Sequence, residues 1–310
     1  MKRLVYLIFF VLLSCHIDKE YLKIGTNVWP GYEPLYVARE FGYLKDAPIH
    51  IVEYVSSSQV IRAYRNKLIN GAALTLDEVI LLKSYGFDPV VILVMDVSNG
   101  ADAIVSRKDI KSLSDLKGKR VGVENSALGA YVLTRALEKA HLTLNDIKIV
   151  PLEVNEHYKW FKKGKVDAVV TFEPVKSKLV KSGGNVIFDS SQIPGEIVDV
   201  LVVEREYLNK HPEVIKTLIN GWFLALANLK KETNSVKKII SEREQIEVKN
   251  FSDLYKGLKI PDREENQKLL DRGTPKLLPV AKRLLNIMKK KKIIKGDLDV
   301  EEMFDGRFIK

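Results

Sequence analysis

Short aliphatic and β-branched runs alternate with helix-patterned segments along most of this chain, and that alternation limits the fold more than any other feature. Strand-like runs fall at 22–25, 49–54, 71–74, 89–95 and 103–105, then at 120–123, 147–152, 166–172, 186–188 and 198–203. Helical patterning fills the intervals at 33–41, 60–68, 77–85, 129–140, 156–163 and 175–181. From Pro212 the chain reads as helical almost to its end. Such β-α-β-α order predicts α/β architecture with mostly parallel sheets. A chain of 310 residues with 46% hydrophobic content suits one large or two modest globular units. The pattern divides into a first lobe, 22–102 with 195–310, and an inserted second lobe, 103–194. The chain then crosses between lobes twice, near 98–103 and 194–198. Ligands of open α/β sheets sit outside the carboxyl ends of the strands, so two facing lobes predict a cleft that closes on a hinge.

The first residues bear on the compartment. Lys2 and Arg3 precede ten apolar residues, 4–13. Ten is too few for a bilayer core, which needs roughly 20, and fits the h-region of a secretory signal. The segment closes on Leu12-Leu13-Ser14-Cys15, which resembles a bacterial lipobox and predicts a signal peptide over 1–15 with lipidation at Cys15. The alternative is an incidental cysteine in an ordinary signal peptide. Cys15 is the single cysteine, so neither an intramolecular disulfide nor a cysteine-based zinc cluster is expected. A multiply acylated cysteine would hold the protein on a membrane. His16 follows it and leaves the choice of membrane open. The formal charge of +10 invites a nucleic-acid reading, yet no binding motif accompanies it. The run Lys289–Lys292 reads as a solvated helix end, so no nucleic-acid partner is expected.

Four phrases carry a family resemblance. They are Trp29-Pro30-Gly31-Tyr32-Glu33-Pro34, Val121-Gly122-Val123-Glu124-Asn125-Ser126, the segment Val166-Asp167-Ala168 running to Glu173-Pro174, and Tyr207-Leu208-Asn209-Lys210-His211-Pro212. In this order and spacing the chain resembles the nitrate/sulfonate/taurine group of ABC-transporter solute-binding proteins, which includes binders of thiamine pyrimidine precursors. The resemblance implies a two-lobed type II periplasmic-binding-protein fold. It also implies a small-molecule solute, a membrane permease with its ATPase as partners, and no catalysis. A monomer, no cofactor and no metal are expected.

Candidate ligand contacts follow from loop positions. Trp29 and Tyr32 offer flat amphipathic surfaces, and Gly31 permits close backbone approach; the alternative for both aromatics is core packing. Thr75 and Asp77 precede or open a helix, where each could cap it or meet the solute. Asp102 stands at the first crossing, beside an Asn-Gly turn pair. Ser126 and Ala127 sit at a helix start that suits anionic oxygens, with an ordinary N-cap as the alternative. Glu173 ends a buried-looking strand. His157 reads as solvated, and Tyr131, Trp160 and Trp222 as core.

None of these contacts is Arg or Lys, whereas Asp77, Asp102 and Glu173 are acids. Simple anions are usually gripped by Arg or Lys. The sequence therefore predicts an amine-bearing solute, such as a taurine-like amino sulfonate or an aminopyrimidine. Two other functions stay open: an enzyme of thiamine pyrimidine synthesis on the same fold, and a ligand sensor coupled to a membrane receptor.

Overall fold

The structure, a computed structural model, describes residues 20–310. The proposed signal segment and Cys15 lie outside the described residues. Eleven strands are present among the described residues: β1 Leu22–Asn27, β2 Ile49–Tyr54, β3 Gly71–Thr75, β4 Pro89–Ser98, β5 Asp102–Ser106, β6 Arg120–Val123, β7 Lys148–Pro151, β8 Ala168–Phe172, β9 Asn185–Asp189, β10 Val198–Glu204 and β11 Leu258–Lys259. They form two sheets. One is ordered β11-β4-β10-β3-β1-β2 and the other β7-β6-β8-β5-β9.

Most strands of each sheet run one way, with a minority running against them. β1 pairs in parallel with β2 and β3, and β6 with β7 and β8. β10 runs antiparallel to both β3 and β4, and β5 antiparallel to both β8 and β9. The reason is geometric. Strands joined by helical crossovers within a lobe must run the same way, and all end at the cleft. β5 and β10 are the first strands after the chain changes sheets. Each enters its sheet from the cleft side and so runs against its neighbours.

The crossings are short and tied to each other. Ser98 at the end of β4 contacts Ser190, after β9, with the two hydroxyl oxygens 2.8 Å apart. The Gly100 N–H donates to the Ser190 hydroxyl at 2.6 Å, and the Ser98 N–H to the Ile197 carbonyl at 3.1 Å. Lys176, from the second lobe, donates to the Gly100 carbonyl at 2.7 Å.

β4 explains why the first lobe is the larger. Val90 to Met95 are fully buried, because helices cover both faces of the sheet. The helices Leu76–Ser84 and Arg263–Leu269 pack against β4, while Pro212–Lys230 packs on the helix Glu33–Glu40 and Leu278–Lys290 on Leu76–Ser84. Trp222 is fully buried and Tyr131 nearly so, as expected, whereas Trp160 is half-buried against Lys165. His157 corrects the expectation of a solvated side chain. It is fully buried, with Nδ1 3.2 Å from the Thr171 hydroxyl and Nε2 3.0 Å from the Leu152 carbonyl. On the helix Val154–Lys162 it shares the buried face with Val154 and Phe161, at i, i+3 and i+7.

Asn266 is the side chain that ties the tail to the sheet. It is fully buried on the helix Arg263–Leu269. Its Oδ1 accepts from the Val94 N–H at 2.8 Å, and its Nδ2 donates to the Val94 carbonyl at 3.1 Å. The amide thus stands in for a neighbouring strand beside β4. Asn266→Ala strands both backbone groups in the core and is expected to cost about 2–4 kcal/mol. Urea unfolding of the variant measures this directly; a midpoint equal to wild type would show that water replaces the amide.

Candidate functional site

The site starts from one row across the first sheet. β3, β10 and β4 lie side by side, and their register places Thr75 opposite Asp199 and Asp199 opposite Asp96. The row lies near the cleft-facing end of the sheet. Asp96 is an acid inside the apolar run Val90–Val97, and Asp199 interrupts Val198–Val203. Both are buried.

The turn after β1 covers this row. Trp29 to Tyr32 leave strand geometry, and a short 3₁₀ turn, Pro30–Tyr32, leads into the helix Glu33–Glu40. The Trp29 indole N–H donates to Asp96 Oδ2 at 2.9 Å, and the Tyr32 hydroxyl donates to Asp199 Oδ1 at 2.5 Å. Gly31 lies between them. A Cβ there would stand 1.8 Å from Asp96 Oδ2 and 2.5 Å from Trp29 Nε1, so no larger residue permits that approach.

The second lobe closes over the same place. Phe172, ending β8, meets Trp29 edge-on with ring centroids 5.5 Å apart. Glu124 Oε1, after β6, accepts from the Ser58 N–H at 2.7 Å and the Ser57 hydroxyl at 3.1 Å. That same Ser57 hydroxyl lies 2.7 Å from Glu78 Oε1, so one proton faces two carboxylates from opposite lobes. Asn27, Trp29, Tyr32, Glu78, Asp102 and Asp199 are among the residues around the enclosed space between the lobes. Only about 20 Å³ of it admits the centre of a water molecule, room for about one water. A larger open groove of about 1150 Å³ lies beside Lys216, Arg272 and Lys310, on the C-terminal region and away from this row.

Electrostatics set the site apart. Asp77, Glu78, Asp96, Asp102, Glu124 and Asp199 are all buried, and among the described residues none pairs with Lys or Arg. Asp77 Oδ2, Asp96 Oδ1 and Asp102 Oδ2 accept no hydrogen bond. Burial pushes the Asp77 carboxyl up to about 6, Asp96 and Asp102 to about 7, and Glu78 to about 8, the last helped by Asp77 and Glu124. Asp199 is raised well above the usual range by burial and then by Asp96. Removing a carboxylate from water without a cation favours its neutral form.

The sequence candidates divide into two groups. Trp29, Tyr32, Thr75 and Asp102 line the enclosed space, and Gly31 sits directly behind it. Asp77 is buried in the first turn of the helix Leu76–Ser84, with one oxygen unpartnered. Glu173 is buried at the end of β8, accepts from the Ser177 N–H at 3.1 Å and lies 3.6 Å from Lys176. Ser126 and Ala127 are displaced from the enclosed space. Ser126 caps its helix, accepting from the Gly129 N–H at 3.1 Å, and lines an outer crevice beside Ala130 and Thr134. Leu128, one residue past Ala127, reaches the space instead. The sequence reading missed Asn27, Ser57, Glu78, Asp96, Glu124, Phe172 and Asp199. For Asp96 and Asp199 a signal existed: a lone acid in a run otherwise buried on both faces.

Two sheet lobes, a paired crossing and side chains converging from both lobes define a two-lobed α/β architecture with a cleft between the sheets. The chain belongs to the family described as NMT1/THI5 like, which it matches over residues 29–228. It is 26% identical over 202 residues to the taurine-binding periplasmic protein of Escherichia coli strain K12, across 62% of this chain and 63% of that one. The match thus spans less than two thirds of that relative. The periplasmic aliphatic sulphonate binding protein SsuA from Escherichia coli shares the fold, with a TM-score of 0.74 and 18% identity over 92% of this chain and 97% of that one. The desulfurization enzyme DSZB shares it too, with a TM-score of 0.67 and 14% identity over 93% of this chain and 97% of that one. The fold therefore carries both binding proteins and at least one enzyme.

Two outcomes follow. Gly31→Ala forces the Trp29–Asp96 hydrogen bond apart and is expected to cost about 1–3 kcal/mol in urea unfolding; an unchanged midpoint would show that the turn shifts freely. Stability should also fall as pH rises. Carboxyls whose folded pKa values are raised to about 6–8 hold protons that the unfolded chain releases near pH 4. His157, lowered to about 4 by burial, works the other way between pH 4 and 6.5, but it is one group against several. Thermal unfolding should therefore occur at higher temperature at pH 5 than at pH 8; the reverse order would refute these protonation states.

Proposed function

We propose that this protein is the extracytoplasmic solute-binding component of an ABC importer. It closes its two lobes on a small amine-bearing solute and hands it to a membrane permease driven by an ATPase. Kinship with a taurine-binding periplasmic protein supports the binding role and the extracytoplasmic location. The apolar segment 4–13 and Cys15 support secretion and a lipid anchor that holds the protein at the membrane. The lobes are read as 22–102 with 195–310 and 103–194.

One observation carries the choice of solute. Glu78, Asp102 and Asp199 line the enclosed space, and among the described residues none forms an ion pair with Lys or Arg, Lys176 acting on Asp102 only from beyond ion-pair distance. A nitrate ion or an unsubstituted alkylsulfonate would meet like charge there. An ammonium or protonated aminopyrimidine supplies the missing charge and hydrogen-bond donors, and Trp29 and Phe172 provide faces for its apolar part. Leu128, in the first turn of the helix Ala127–Lys139, adds an apolar contact from the second lobe.

A thermal-shift screen of the chain from His16 onward tests this, using amino sulfonates, alkylsulfonates, nitrate, aminopyrimidines and amino acids. A ligand that binds only the folded form raises the melting temperature when present well above its Kd. Amine-bearing compounds are expected to give the shift; nitrate or an unsubstituted sulfonate as the tightest binder would sink the reading. Affinity for the amine should drop between pH 8 and pH 5, since protonated carboxyls cannot pair with it. Asp102→Asn should weaken binding by about tenfold or more, the scale of one charge-assisted hydrogen bond. Turnover of any bound compound would instead favour an enzyme, the reading that kinship in fold with DSZB keeps in play.

A further inference from the structure

We infer that Glu124 serves as the protein's own anion at the N-terminus of the helix Ser57–Arg65 and bars sulfonate, carboxylate and phosphate groups from the cleft, so that the amine-bearing solute is one without an anionic group. The last clause rests on the solute-binding reading above; the seat of Glu124 does not.

The first turn of the helix Ser57–Arg65 faces the cleft, since Ser57 lines the enclosed space. A helix start carries amides that the helix itself cannot satisfy, together with the positive end of its dipole. Such an end holds the oxygens of sulfonates, carboxylates and phosphates. The residue before it, Ser56, does not supply a side-chain cap. The second lobe supplies one instead. Glu124 Oε1 accepts from the Ser58 N–H at 2.7 Å and from the Ser57 hydroxyl at 3.1 Å. A backbone N–H can only donate, so Oε1 is an acceptor there. Burial raises the Glu124 carboxyl, and the bonds from Ser58 and Ser57 oppose that rise.

Other acids crowd the same corner. Glu153, also from the second lobe, lies 3.2 Å from the Ser58 hydroxyl, and Glu78 lies 2.7 Å from the Ser57 hydroxyl. Three carboxyl groups thus converge on two serines. Ser57 looks onto the enclosed space and Glu124 onto the outer crevice, so their contact is part of the wall between the two. An anionic group entering here must displace Glu124 and then face Glu78 and Glu153.

The other helix starts beside the cleft are answered in the same way. The helix Leu76–Ser84 opens with Asp77 and Glu78, and Glu78 Oε2 accepts from the Thr75 N–H at 3.2 Å. At the start of Ala127–Lys139, Ser126 Oγ accepts from the Gly129 N–H at 3.1 Å. At Val175–Lys181, Glu173 Oε2 accepts from the Ser177 N–H at 3.1 Å. Lys176, the cation that acts on Asp102, donates to the Gly100 carbonyl at 2.7 Å and stands 3.6 Å from Glu173. At each of these helix starts the chain sets one of its own oxygen atoms on the amides that would grip an anion. A cation meets no such competitor, and Glu78, Asp102 and Asp199 line the space it would enter.

The test uses matched pairs of solutes and the chain from His16 onward. Ethanolamine and taurine share an aminoethyl group and differ in the anionic end, as do 4-aminopyrimidine and its 5-carboxylate. In wild type the member without the anionic group should bind about tenfold tighter or more, the scale of one charge-assisted hydrogen bond. In Glu124→Ala, which vacates the Ser58 amide, that ratio should shrink about tenfold. Equal affinity for both members in wild type, or an unchanged ratio in Glu124→Ala, would overturn the inference.

Inorganic sulfate supplies a readout that needs no amine. Millimolar sulfate, compared with chloride at the same ionic strength, should raise the melting temperature of Glu124→Ala and leave wild type unmoved. Equal shifts in the two, or none in the variant, count against the seat. If no amine binds wild type, the solute reading fails while the sulfate comparison still decides the seat. If Glu124→Ala does not fold, Glu124→Gln keeps an acceptor on the Ser58 amide and removes the charge. Taurine should then gain about threefold or more on ethanolamine; no gain counts against Glu124 as the excluding charge.

Discussion

Everything in this molecule turns on carboxyl groups held out of water between two sheets without a cation to match them. An isolated buried carboxylate is costly, so such groups either take up protons or wait for a partner. Asp96, Asp102 and Asp199 are placed by β-strands rather than by loops. Thr75, Asp199 and Asp96 stand in one row because β3, β10 and β4 pair in that register. A single residue of slippage would turn the acids into the opposite face of a packed sheet. The charge pattern of the cleft is thus as rigid as the core beneath it.

The same row links the site to the hinge. β4 carries Asp96 and ends at Ser98, where the chain leaves the first sheet; β10 carries Asp199 and starts where the chain returns. Ser98, Ser190 and Gly100 fasten the two crossings together. Asp102, the first residue of β5, stands just past the first crossing. Glu124 of the second lobe meets Ser57 and Ser58 of the first, and Phe172 packs against Trp29, so the lobes touch through groups that belong to the charge balance of the site.

Much of the fold is legible in the sequence. Periodicity located the strands and most helices, because a buried strand and an amphipathic helix differ in spacing whatever surrounds them. Strand direction was not legible. The antiparallel course of β5 and β10 follows from entry at the cleft edge, which no local pattern encodes. The short β11 was missed inside a tail read as helical, since two residues carry no periodicity. The burial of His157 is not legible because a histidine on an amphipathic helix carries no local sign of whether its face meets water or the core; Thr171 and Leu152 supply its partners.

The site divided along the same line. Trp29, Gly31, Tyr32 and Asp102 were visible because turn chemistry and position at a crossing are local features. Ser126 lines an outer crevice, and in sequence helix caps look alike whether they face a cleft or such a crevice. The amino-acid order by itself determined the α/β class, the two crossings and the acid-rich, base-poor set of candidate contacts. Only the tertiary structure decided that Asp96 and Asp199 stand side by side and that Glu78 and Glu124 share one serine hydroxyl. Those pairs lie far apart along the chain, and pairing at such distance is set by sheet register and lobe closure, which no local stretch of residues specifies alone.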